Sequence, residues 1–247
     1  MIKGYYRPNT LDEALKLLDD PTNIPIGGGT TLTSSTRDVS VVDLQNLELN
    51  SIRDEDSSLK IGSTVTLEML ATHFDHSLPI KEAIKVEASR NQRQQVTIAG
   101  LVCASGGRSP LLTLLMAMNP VMKWQPGNID IPLGEYLPQR KSWRKGSLIT
   151  EFEFEKNQKI AFESVGRSPY DVPILCMALA RWSSGRLRIT VGGFGDSPML
   201  VMDGNMNDDL ELAVENALLS LSDEWGTAEY RIAAGKKIVL RLKNEMI

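Results

Sequence analysis

The feature that most restricts this chain is a triple glycine, Gly27-Gly28-Gly29, which follows without a break on the apolar run Ile24-Pro25-Ile26 and continues into Thr30-Thr31-Leu32. The apolar run reads as a short buried strand, so the strand empties directly into a segment without Cβ atoms. Consecutive glycines in that place let backbone N–H groups converge on an anion such as a diphosphate, because no side chain intervenes. Thr30 and Thr31 would add hydroxyl donors to the same cradle. A glycine-rich surface turn accounts for the same residues, and both readings stand at this point. Neither standard nucleotide fingerprint is present: there is no GxGxxG, and no Gly-Lys-Ser/Thr follows the glycines. That argues against a Rossmann or P-loop fold.

A second segment with small residues, Val96-Thr97-Ile98-Ala99-Gly100-Leu101-Val102, comes later in the chain. It would let backbone pack beside a ligand, with the Thr97 hydroxyl as a donor. The alternative is a strand-to-helix junction at which Gly100 permits close packing. Around these two segments the apolar periodicity alternates between helix and strand. Leu11, Ala14, Leu15, Leu17 and Leu18 recur at helical spacing behind Thr10, and Glu13 completes a capping box. Strands are expected at Val39 to Leu44, Leu59 to Ser63, Leu148 to Phe154, Ile160 to Val165 and Leu187 to Val191, the last running into a Gly192-Gly193-Phe194-Gly195 turn. Helices are expected from Thr66, over Ile80 to Ala88, Leu210 to Leu221 and Ala228 to Lys243, and Val172 to Arg181 also reads as helix-like. Leu111 to Met118 is apolar on every side and closes on Asn119-Pro120, the pattern of a fully buried helix.

Composition removes several function classes. The chain has 247 residues, 42% of them hydrophobic, and a formal charge of -4, so it can bury a substantial core but offers no clustered Lys and Arg for nucleic acid. The first residues lack the apolar core of a signal peptide and no stretch reaches a membrane span, so a cytoplasmic location is expected. Cys103 and Cys176 form no CxxC pair and are expected as buried reduced thiols, which places any iron–sulfur centre on another chain. His73 and His76 read as surface histidines, and Leu115-Met116-Ala117-Met118 as core filler.

The two glycine-bearing segments, in this order, resemble the FAD-binding subunits of the molybdenum hydroxylases, such as the medium subunit of carbon monoxide dehydrogenase and the flavin domain of xanthine dehydrogenase. There an AGGTDL-like loop is followed by a Q-V-R-N-x-G-T-I-G-G-N segment. Here they stand as Gly27-Gly28-Gly29-Thr30-Thr31-Leu32 and as Arg90-Asn91-Gln92-Arg93-Gln94-Gln95-Val96-Thr97-Ile98-Ala99-Gly100. The likeness runs on through Tyr6-Arg7-Pro8, Val42-Asp43-Leu44, Leu59-Lys60-Ile61-Gly62, Leu148-Ile149-Thr150-Glu151, Ile189 to Gly195 and Ala228-Glu229-Tyr230-Arg231.

The resemblance implies an α+β chain: a two-subdomain FAD-binding fold of PCMH type over 1–57 and 58–157, then a C-terminal α+β domain over 158–247 with a small antiparallel sheet and helices. It implies FAD as cofactor, with the diphosphate held by Gly28, Gly29, Thr30, Thr31, Thr97 and Gly100. Gly27, Leu32 and Ala99 complete the two loops, and Ile149 gives an apolar contact on the adenine side. No catalytic acid or base and no metal ligand is implied. The implied partners are a [2Fe–2S] small subunit and a molybdenum-cofactor large subunit, with electrons leaving to NAD or another acceptor, and with neither nucleic acid nor a membrane span. The departures are Ala99 for the first family glycine of T-I-G-G, Leu101 for the family's Asn, and Pro110 for an aspartate expected at the adenosine ribose. By position, Arg108 is a candidate compensating cation, and Arg167 with Asp171 matches an R-R-x-x-D stretch, as cofactor contact or structural ion pair. A non-catalytic assembly protein that kept the fold but lost FAD is the alternative function.

Overall fold

The computed structural model describes residues 2–31, 38–168 and 171–246. The described chain forms two compact units, each assembled from separate stretches of sequence. The first gathers Met1–His73, Arg90–Ala104 and Pro120–Glu155, and the second Phe74–Ser89, Ser105–Asn119 and Lys156–Ile247. This grouping by packing cuts across a linear division of the chain. The molecule is mixed α and β throughout, as the α+β expectation requires.

The first unit opens with β1 (Ile2–Tyr6), α1 (Leu11–Leu18), β2 (Asn23–Ile26) and β3 (Val39–Asp43). These strands form a three-stranded parallel sheet in the order β1-β3-β2. The start of α1 follows its cap: the Glu13 N–H donates to Thr10 Oγ1 at 3.2 Å, and the Glu13 carboxylate accepts from the Asn9 N–H at 2.9 Å, one residue earlier than a standard capping box. Ala14 and Leu18 on the inner face pack with Val42, Leu44 and Leu148. β1 has no buried side and was not expected from periodicity; the Tyr5 hydroxyl, donating to the Asp43 carboxylate, ties it down.

The unit continues with β4 (Ile52–Asp54), β5 (Ser58–Gly62), α2 (Leu67–His73), then α4 (Arg90–Arg93), α5 (Ile98–Ala104), β6 (Val121–Gln125), β7 (Ile129–Pro132), α7 (Leu133–Tyr136) and β8 (Leu148–Glu155). A five-stranded antiparallel sheet in the order β4-β5-β8-β6-β7 results. Leu148, Ile149, Phe152 and Phe154 of its central strand are all buried. A register shift at Lys123/Trp124 sets Trp124 opposite Ile149.

The second unit holds α3 (Leu78–Glu87), α6 (Pro110–Met118), β9 (Lys159–Val165), β10 (Leu175–Arg181), β11 (Arg186–Gly192), β12 (Met199–Asn205), α8 (Leu210–Leu218) and α9 (Ala228–Glu245). Its four strands form an antiparallel sheet in the order β12-β11-β10-β9. All residues of α6 are buried, and the helix stops at Asn119, whose left-handed φ of 52° ends it. The helix-like reading of Val172 to Arg181 is corrected here. Leu175–Arg181 is a strand in the middle of the sheet, covered on one side by α6 and on the other by α9. A strand buried on both faces shows a continuous apolar run, which periodicity cannot tell from a buried helix.

Cys176 is buried beside Thr113 Oγ1 at 3.3 Å, and burial pushes its thiol up to about 12; Cys103 is exposed as a residue, yet its Sγ accepts from the Tyr136 hydroxyl at 3.7 Å and burial raises its thiol as well. Among the described residues no helix is long and apolar enough to cross a membrane.

One buried acid yields a prediction. The Glu87 carboxylate at the end of α3 accepts from the Ser109 hydroxyl at 2.7 Å and the Leu111 N–H at 3.1 Å, and so closes the N-terminus of α6. Burial raises its pKa against these two hydrogen bonds, which lower it. With the folded value above the unfolded one, the stabilising contribution is fully present below the unfolded value of about 4.3 and is lost as pH rises through the folded value. Glu87→Gln keeps an acceptor oxygen and cannot ionise. Its urea midpoint should match or exceed that of the parent at neutral pH and lose this relative advantage at about pH 4; a parent that gains on the variant as pH rises would contradict this.

Candidate functional site

Within the first unit, the fold brings the two glycine-bearing segments into direct contact. β2 delivers the chain into Gly27-Gly28-Gly29 at the end of the parallel sheet, while the polar run through α4 leads to Gln95 and on to Thr97. A Cβ at Gly28 would lie 1.6 Å from the Gln95 carbonyl oxygen, and one at Gly27 would lie 2.9 Å from Thr97 Oγ1. Gly29 has φ +71°, a conformation that side chains of L-residues rarely adopt. The triple glycine is therefore demanded position by position, by backbone approach at the second residue and by backbone twist at the third. A plain surface turn makes no such demand.

The second segment is internally organised. Thr97 is buried, and its Oγ1 accepts from the Gly100 N–H at 3.1 Å. Ile98 N–H donates to Val65, Ala99 N–H to Ser63, and Leu101 N–H to Thr97, each at a backbone carbonyl. These donors are thus spent inside the fold, whereas among the described residues no backbone partner takes the N–H groups of Gly27, Gly28 and Gly29. Gly27 to Gly29 are half-buried, and Thr30 and Thr31 are exposed. The first loop thus carries three backbone donors without backbone partners, packed against Gln95 and Thr97.

The other expected site residues fall as follows. Leu32 lies outside the described residues. Ile149 belongs to the same unit but is only 2% exposed, packed into the sheet opposite Trp124. Leu101, where the family has a polar residue, is likewise core. Arg108, Arg167 and Asp171 belong to the second unit. There Arg108 donates through Nε and Nη2 to the Pro173 carbonyl at 3.2 and 3.1 Å and through Nη2 to the Val172 carbonyl at 3.0 Å. Pro110 opens α6 behind its Ser109 cap.

One residue escaped the sequence reading. Ser63, 1% exposed, carries a buried hydroxyl with no partner among the described residues, while its carbonyl accepts from Ala99 N–H at 3.2 Å. A buried unpaired hydroxyl beside the second segment is a polar group in want of a partner. The only local signal was the preceding Gly62, where a Cβ would meet the Leu49 carbonyl oxygen at 2.2 Å.

Comparison with known proteins identifies the family. Residues 1–154 match the model of the FAD binding domain in molybdopterin dehydrogenase. This chain belongs to that family. Its cofactor, FAD, is the one the family resemblance implied. A curated relative, the uncharacterized protein YgfM of Escherichia coli K12, is 25% identical over 244 residues, covering 94% of this chain and 91% of YgfM. Among solved structures, a chain of quinoline 2-oxidoreductase from Pseudomonas putida 86 superposes with TM-score 0.81 at 20% identity, over 98% of this chain and 95% of that one. Carbon monoxide dehydrogenase from Hydrogenophaga pseudoflava gives TM-score 0.81 at 20% identity, over 99% and 97%. At such identities the likeness shows that this member of the FAD-binding family shares their fold over nearly all of its length.

Proposed function

We propose that this chain holds FAD by its diphosphate on the Gly27–Thr31 loop and is the flavin relay subunit of a molybdenum hydroxylase-type complex. The observation that carries the reading is the approach of Gly28 to the Gln95 carbonyl, which brings two family motifs into one cradle beside N–H groups without backbone partners. The fit to a diphosphate is good: three N–H groups without backbone partners, a conformation only glycine holds readily, and hydroxyls at Thr30 and Thr31. In this arrangement Gly27, Gly28 and Gly29 donate to phosphate oxygens, and Thr30 and Thr31 extend the donor set toward Leu32. Thr97 and Gly100 hold the loop at its working distance, with Ala99 leaving room beside it. The buried Ile149 supports the wall of the first unit on the adenine side.

When bound, FAD would supply reversible electron chemistry between a [2Fe–2S] small subunit, fed by a molybdenum-cofactor large subunit, and NAD or another acceptor. The protein's own part is to bind and orient, so no acid or base is assigned. A cytoplasmic location and a C-terminal domain beginning near residue 158 belong to the same proposal; the family match ending at residue 154 supports the latter.

Leu101 favours a second reading, an assembly protein that kept the fold without the flavin, because the family's polar position is here 2% exposed core. Flavin retention by the purified chain, alone and with partner subunits, separates the two. Retained flavin supports the relay, and a chain colourless in both states supports the assembly role.

A further inference from the structure

In the second unit, the exposed ring of Trp225 lies against two guanidinium groups. Arg108 Cζ is 4.2 Å from the ring centroid and Arg167 Cζ is 5.4 Å from it. Among the described residues neither arginine is ion-paired with a carboxylate.

Two of the three groups are also held rigidly. The carbonyls of Val172 and Pro173 fix Nε and Nη2 of Arg108, leaving Nη1 and its two protons directed elsewhere. Trp225 is 42% exposed yet sits on a tight turn: Asp223 Oδ1 accepts from the Trp225 N–H at 2.9 Å, from the Gly226 N–H at 3.1 Å and from Arg231 Nη2 at 2.7 Å. Holding two guanidiniums against one exposed indole costs side-chain entropy and sets two like charges near each other. A bound anion removes the second cost, and the preset geometry reduces the first.

From these groups we infer that Arg108, Arg167 and Trp225 of the second unit form a binding site for a phosphate-bearing ligand, additional to the Gly27–Thr31 loop. Guanidinium forks match phosphate oxygens in bidentate fashion, and a dianionic or diphosphate group offsets two positive charges where a single carboxylate would offset one. The indole completes the site as a flat wall that keeps both guanidiniums in register. The source is a nucleotide or a free phosphate or diphosphate.

The inference stands independently of the flavin proposal, and one experiment tests it. The full chain is titrated calorimetrically with sodium pyrophosphate, inorganic phosphate and ADP while tryptophan emission is followed. Saturable pyrophosphate binding with a change in emission is expected, weakened about tenfold or more in Arg167→Gln, whose exposed side chain makes folding failure improbable. Arg108→Gln should weaken it similarly, and Trp225→Phe should remove the emission change. ADP tighter than pyrophosphate assigns a nucleotide, and equal affinity assigns the free anion. Gly28→Asp should retain this binding while losing FAD, so failure of one site is distinguishable from failure of the other. Absence of saturable binding, unchanged affinity in Arg167→Gln, or loss of binding in a Gly28→Asp chain that still unfolds cooperatively overturns the inference.

Discussion

Gly28→Asp should abolish flavin binding, lowering FAD affinity by about two orders of magnitude or more, roughly 3 kcal/mol. Two effects act together. Any Cβ at this position lands 1.6 Å from the Gln95 carbonyl oxygen, so the two loops must separate. The carboxylate then adds a negative charge next to the diphosphate, where donors are expected to be exposed. Gly28→Ala isolates the first effect and should fall between parent and Asp variant. Cooperative urea unfolding of each variant shows whether the fold survives, and FAD affinity is read by flavin fluorescence quenching. Parental affinity in Gly28→Asp would move the site away from this loop.

The largest stability effect is expected at Arg231. Its side chain is fully buried on α9, ion-paired with Asp223 at 2.7 Å. It also donates to the carbonyls of Ile174, Leu221 and Gly226 and lies 5.1 Å from the centre of the Phe194 ring. Desolvating a guanidinium is costly, so this network is weak grounds for net stability. Removing the arginine is another matter, because Asp223 and three carbonyls then lose a shared partner inside the fold. Arg231→Ala should therefore cost about 3–5 kcal/mol, read as a lower urea midpoint at an unchanged slope. Arg231→Lys keeps the charge but loses the fork and should recover only part of that loss. A loss under about 1 kcal/mol in the alanine variant would show that the buried network is easily replaced.

Much of the first unit was readable from local chemistry. The helix behind Thr10 and the strand running into the triple glycine were visible as short-range patterns, because caps, periodicity and glycine runs are local signals, whereas the pairing of the two loops came from the family resemblance. The mutual approach of Gly28 and Gln95 was not, since no periodicity reports which distant carbonyl a glycine must clear. β10 was misread as a helix because both its faces are covered, which erases alternation. β1 escaped for the opposite reason: with no buried face there is no pattern to find. Arg231 reads as one more charge on a polar helix, and only tertiary packing shows it at the bottom of the Asp223 turn. Arg108 stood close in sequence to a family cofactor motif, yet the structure commits it to Val172, Pro173 and Trp225.

The central claim, that the Gly27–Thr31 loop makes this chain a flavoprotein, is tested most directly by the flavin content of the purified full chain. The chain is incubated with excess FAD, alone and with its iron–sulfur and molybdenum partner subunits, and freed of unbound cofactor by gel filtration. The proposal predicts about one FAD retained per chain, with Gly28→Asp retaining none under the same conditions. No retained flavin in the parent, alone or in the assembled complex, would contradict it.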